Sequence, residues 1–131
     1  MNGEKMEVDT RAKMRISFLS VPEFFRLDVA CRPLFDAFDT PPYLVGSCMN
    51  RDDFRDVDVS LMLADEKYDV MFPNKYAQLF LNASVSEWLS ARTGLNIDFK
   101  FQDMTKANEE HKGPRNPLGI RGDSFKVDPP R

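Results

Sequence analysis

The eight residues Asp56-Val57-Asp58-Val59-Ser60-Leu61-Met62-Leu63 limit what this chain can fold into more than any other stretch. Read with a strand's period of two, Val57, Val59, Leu61 and Leu63 share one face, and Asp56, Asp58, Ser60 and Met62 share the other. The apolar face requires a core to cover it. The two aspartates stand on the opposite face, about 6.6 Å apart along the strand. Two carboxylates that approach to about 4 Å repel by roughly 4 kcal/mol at an effective dielectric of 20. A cation between them removes that cost.

Ahead of this strand lies Tyr43-Leu44-Val45-Gly46-Ser47, a short apolar strand ending in a Gly-Ser turn, and residues 48–55 join the two. Hard divalent ions such as Mg²⁺ take carboxylate and phosphate oxygens together, so a Gly-Ser turn beside an Asp-x-Asp strand suits a nucleoside triphosphate and its metal. Gly46 lets backbone N–H groups approach phosphates that a side chain would block, and Ser47 adds a hydroxyl. Arg51 and Arg55 in the joining loop are suited to neutralise triphosphate charge, or else pair with the aspartates beside them. Further on, Leu95-Asn96-Ile97-Asp98-Phe99-Lys100-Phe101 puts Ile97, Phe99 and Phe101 on one face, and Asp98 with Asn96, Lys100 and Gln102 on the other.

Across residues 42–102 these features resemble the nucleotidyltransferase superfamily, in particular its small stand-alone members of bacterial or phage type. The resemblance implies an α/β fold, a small mixed or antiparallel sheet flanked by helices, with Asp56, Asp58 and Asp98 as catalytic metal ligands. Gly46, Ser47, Arg51 and Arg55 then bind the nucleotide. It also implies transfer of a nucleoside monophosphate, typically AMP, from an NTP to a hydroxyl acceptor with release of pyrophosphate. Mg²⁺ or Mn²⁺ is the expected cofactor, and Asp98 the base. The acceptor is a protein, an RNA or a small molecule, and no second helical domain is present to recognise it. A second copy of the chain or a helical partner is therefore expected to complete the acceptor site. The competing class is an inactive module of the same fold that binds a protein or nucleic acid.

With 131 residues, 42% of them hydrophobic and 30% charged, the chain reads as one soluble globular domain that needs no disulfide or metal staples. No apolar run approaches the length of a membrane span, and residues 1–15 lack the apolar stretch of a secretory signal, so a cytoplasmic protein is expected. Cys31 and Cys48 read as free thiols, and a single histidine leaves no zinc cluster. His111 itself reads as a surface residue. Lys112, Arg115, Arg121, Lys126 and Arg131 against Asp123 and Asp128 make the C-terminus basic in a chain of net charge −3.

The expected organisation is a flexible N-terminus over 1–15, a nucleotidyltransferase-like domain over 16–111 and a basic extended tail over 112–131. Ser20-Val21-Pro22-Glu23 reads as a capping box opening a helix, whose face Phe24, Leu27, Cys31, Leu34, Phe35 and Phe38 is kinked near Ala30 by Pro33. Residues 67–72 read as a loop or a short edge strand. Asn74 is a good N-cap for a long helix ending at Gly94, and residues 103–110 read as one or two helical turns. Within the tail, residues 115–119 are expected to be ordered and folded back over the site. Arg121-Gly122-Asp123 reads as a chance tripeptide.

Overall fold

The computed structural model describes residues 17–121; the expectations for residues 1–15 and for the tail beyond Arg121, including the rest of the Arg-Gly-Asp tripeptide, lie outside them. Helix α1 (Val21–Ala30) opens on the capping box: the Glu23 N–H donates to Ser20 Oγ at 3.2 Å, and the Ser20 N–H to Glu23 Oε1 at 2.9 Å. Pro33 supplies no N–H, and the chain breaks at Cys31 before resuming as α2 (Arg32–Phe38). Asp39, at φ 56°, turns the chain out of α2.

The strands follow as β1 (Tyr43–Val45) and β2 (Val57–Leu63), separated by a 3₁₀ turn over Ser47–Met49. Helices α3 (Asp65–Met71) and α4 (Lys75–Thr93) lead to β3 (Ile97–Asp103), α5 (Met104–Glu110) and the two-residue β4 (Asn116–Pro117). The result is an α/β fold with a mixed four-stranded sheet in the order β3-β2-β1-β4. β1 runs antiparallel to both β2 and β4, and β2 and β3 are parallel, with Asp58 opposite Asp98. Residues 67–72 are neither loop nor edge strand. They fall largely in α3, where Asp65 and Glu66 occupy the favourable N-terminal turn and Tyr68, Met71 and Phe72 pack at helical spacing against the core.

Val57, Val59, Leu61, Leu63, Ile97, Phe99 and Phe101 pack with Leu27, Cys31, Leu34 and Leu89 of the helices into one core. Each fully buried Leu, Val or Phe contributes about 1.5–3 kcal/mol by leaving water. On the opposite face Ala107 of α5 packs on Val45 and Met62, and Ser60 and Gln102 are buried as well. Toward the starts of β2 and β3 the cover thins, leaving Asp58 half-buried and Asp98 exposed, and that asymmetry places the site.

Among the described residues the outer edge of β3 has no strand beside it; α4 serves in its place. Ser90 Oγ accepts from the Ile97 N–H at 3.0 Å, Ser86 Oγ from the Phe99 N–H at 2.8 Å, and Asn82 Oδ1 from the Phe101 N–H at 2.9 Å, while Gln78 Nε2 donates to the Phe101 carbonyl. Residues 78, 82, 86 and 90 recur every four positions, so one helix stripe satisfies the edge that would otherwise recruit another strand. Asn82→Ala leaves the Phe101 N–H without its acceptor and is expected to cost about 1–3 kcal/mol, read as a lower urea midpoint at unchanged slope.

The segment after α5 does fold back, but along β1 and onto α1 instead of over the carboxylates. Leu118 is buried in the core. Asp28, completely buried in α1, accepts from the Gly119 N–H at 3.0 Å, the Arg121 N–H at 3.0 Å and Arg121 Nη1 at 2.9 Å. The guanidinium also donates to the Pro117 carbonyl and to Asn116 Oδ1, and lies over the Phe24 ring. Arg121 is therefore a structural part of the described fold, whatever the tail beyond it does.

Candidate functional site

The site is set by β1 ending at Val45. Gly46 takes φ 82° and ψ −157°, a conformation open essentially to glycine alone. A Cβ built on it would stand 2.2 Å from Asp58 Oδ2, so the missing side chain is the space the Asp58 carboxylate occupies. The 3₁₀ turn follows directly, with the Asn50 and Arg51 N–H groups bonded to the Ser47 carbonyl at 3.0 and 2.8 Å. Cys48, wholly buried, anchors this loop, and its carbonyl accepts from the Phe18 N–H at 2.7 Å.

Asp58 is half-buried and faces Asp98 across the β2–β3 pair. Burial raises its pKa above the ordinary carboxylate value, and the like charges of Asp98 and Asp56 raise it further; Lys100 opposes the rise. The ionised Asp58 is thus a cost to the fold. Its stability penalty is absent at pH below 3.8 and sets in as pH rises through the elevated folded value, the reverse of an ion-paired aspartate. Asp58→Asn is accordingly expected to raise the melting temperature at pH 7, with the gain vanishing under acid conditions, a result calorimetry at two pH values decides.

Asp56 lies just before β2, where its Oδ1 accepts from Asn96 Nδ2 at 2.6 Å. Asp58 and Asp98 are thus in register on one face, while Asp56, ahead of β2, is tied to the segment that leads into β3. Among the described residues no group of three or more His, Cys, Asp or Glu side chains forms a ready metal site. A cleft of about 490 Å³ opens beside Asp56 and Asp58, lined also by Ser47, Arg51, Asp53, Phe54 and Arg55. Arg51 grips Asp53 with two bonds of 2.8 and 2.9 Å, which lowers the Asp53 pKa. Arg55 has no ion pair among the described residues, which leaves it the more available of the two guanidinium groups.

Farther along the same face lies a network that the sequence reading passed over. Ser60 Oγ donates to Gln102 Oε1 at 2.5 Å, His111 Nε2 sits 3.0 Å from the same oxygen, and Gln102 Nε2 donates to Glu110 at 2.7 Å. His111 is therefore partly buried on the sheet, not a surface residue. Burial lowers its pKa, Glu110 opposes that, and Arg115 and Lys100 add to it. Gln102 and Lys100 share the parity of Asp98, and that was the available signal; nothing local in the sequence brings His111 back to them. Both cysteines are buried free thiols, and burial pushes Cys48 up to about 11, helped by Asp58, which keeps it protonated and a poor nucleophile at neutral pH.

Carboxylate oxygens are the kind of donor a hard divalent ion takes, and Asp56 and Asp58 line a cleft that also carries a hydroxyl and two guanidinium groups, but Asp98 does not line it and the three are not gathered into a group that could hold an ion. Among the described residues no helix is long and apolar enough to cross a membrane. No protein-family model, curated protein or solved structure matches the chain.

Proposed function

We propose that this chain is a metal-dependent nucleotidyltransferase that moves a nucleoside monophosphate, with AMP the expected group, from an NTP to a hydroxyl acceptor. One observation carries the reading: Asp58 lies in register with Asp98 and near Asp56, directly against a Gly46-Ser47 turn whose glycine makes room for its carboxylate. Asp56, Asp58 and Asp98 would hold Mg²⁺ or Mn²⁺, which when bound neutralises phosphate charge and orients the reacting oxygens. The chain's own groups do the rest. Ser47 and Arg55 take the phosphates in the cleft, and Arg51 joins them on letting go of Asp53. Asp98, at the exposed edge of the pair, accepts the proton of the attacking hydroxyl. The new bond runs from that oxygen to the α-phosphorus; the bond to the bridging oxygen breaks, and pyrophosphate leaves with its electron pair.

A second reading, a non-catalytic module of the same fold, is favoured by the Asp56–Asn96 bond and by the lack of a ready three-ligand group among the described residues. Pyrophosphate release separates the two. With Mg²⁺, labelled NTPs and a cell lysate as acceptor source, the wild type is expected to release pyrophosphate and label an acceptor, and Asp58→Ala to lose at least about a hundredfold of that rate, about 2.7 kcal/mol of barrier. No release from any NTP favours the inactive module, and orthophosphate in place of pyrophosphate indicates hydrolysis.

A further inference from the structure

Helix α4 packs Val85, Trp88 and Leu89 of its C-terminal half on the core, but its N-terminal half leaves apolar side chains outside. Its polar residues Gln78, Asn82, Ser86 and Ser90 turn inward to the β3 edge, while Tyr76, Leu79 and Phe80 stand in solvent at 79%, 52% and 71% exposure. A surface helix of a monomer puts its apolar stripe inside. Along the N-terminal half the edge of β3 has claimed the inner face for hydrogen bonding, and Tyr76 and Phe80 are left on the outside.

We propose that this outer face is the two-fold contact of a homodimer, in which α4 pairs antiparallel with α4 of a second copy. Three features select a second copy over another occupant. The first is charge: residues 76–86 contain no charged side chain, in a chain that is 30% charged. A two-fold axis sets each charge near its own like, so a charge-free stretch of eleven residues suits self-pairing, whereas a charged partner would be met by complementary charge.

The second is shape. The bulky Tyr76 and Phe80 occupy the N-terminal part of the face, and the small exposed Ala83 and Ser84 lie one to two turns on. Antiparallel pairing about Phe80 sets Tyr76 of each copy over Ala83 and Ser84 of the other, large on small in both directions. The third is area. Tyr76, Leu79 and Phe80 alone expose on the order of 400 Å² of largely apolar surface, about half of the roughly 800 Å² per partner of a standard interface, and the flanking small residues extend it. Because α4 borders the outer edge of β3, this pairing leaves the Asp58–Asp98 face open in both copies.

Sedimentation equilibrium on the full chain tests this. The wild type is expected to be a dimer, and Phe80→Glu to weaken association by a factor of about 30 or more, as for loss of a central aromatic anchor. Ser84→Arg, which fills the small end, is expected to weaken it comparably. Both positions are exposed, so far-UV circular dichroism is expected to stay unchanged in each. A wild type that remains monomeric up to high concentration overturns the proposal, as does a dimer that both variants leave intact, or association seen only with a different protein. Loss of dimer in Phe80→Glu but not in Ser84→Arg overturns the antiparallel register.

Discussion

Gly46→Ala is expected to destabilise the fold by about 2–3 kcal/mol and, if the proposed transfer is correct, to remove nearly all pyrophosphate release. Two costs combine. The backbone at φ 82° and ψ −157° penalises any side chain by roughly 1–3 kcal/mol. The new methyl would also lie 2.2 Å from Asp58 Oδ2 and 3.0 Å from Asp58 Cβ and Cγ, so the carboxylate cannot stay where it is. Asp58 is anchored by the β2 backbone between β1 and β3, and turning its side chain aside breaks its alignment with Asp98. Urea denaturation reads the first effect and the pyrophosphate assay the second. A variant with wild-type stability and activity would show that this turn does not set the position of Asp58.

Arg121→Ala is expected to cost about 3 kcal/mol, although Arg121 lies far from any motif. Removing one member of a buried ion pair leaves the other charge uncompensated, at a typical cost of about 3–5 kcal/mol. The lower end applies because the Arg121 side chain is 33% exposed, so solvent screens the pair, and because Asp28 keeps two backbone donors, the Gly119 and Arg121 N–H groups. For a chain of this length that corresponds to a drop of roughly 10 °C in melting temperature. Asp28→Asn provides the control: it keeps the shape and removes the charge, so combining it with Arg121→Ala is expected to cost less than the two single changes summed. Strict additivity would mean that the pair does not act as a unit.

Local pattern explains which parts of the fold were legible. The alternation in residues 56–63, the Ser20–Glu23 box, Pro33, Asn74 and Gly94 each act within a few residues of themselves, and the structure has strands, caps and breaks at those positions. Helix α3 was misread because Val70 and Phe72 mimic a strand's alternation, while Tyr68, Met71 and Phe72 also fit a helix; packing against the core decided between them. Nothing in the sequence announces the strand edge to which the four polar residues of α4 turn.

For the candidate site, the sequence by itself determined which residues share a face: Asp56 with Asp58, Asp98 with Lys100, and a glycine and serine at a strand's end. Parity and turn chemistry are properties of neighbours along the chain. Only the tertiary structure decided that β3 lies parallel to β2 in the register that opposes Asp58 to Asp98, that Asp56 turns to Asn96, that His111 returns to Gln102, and that Arg121 closes on Asp28. Those contacts join residues 40, 40, 9 and 93 positions apart, respectively. Pairings of that reach follow from how the whole core packs, because the burial that holds them together is non-directional and shared by every element it touches.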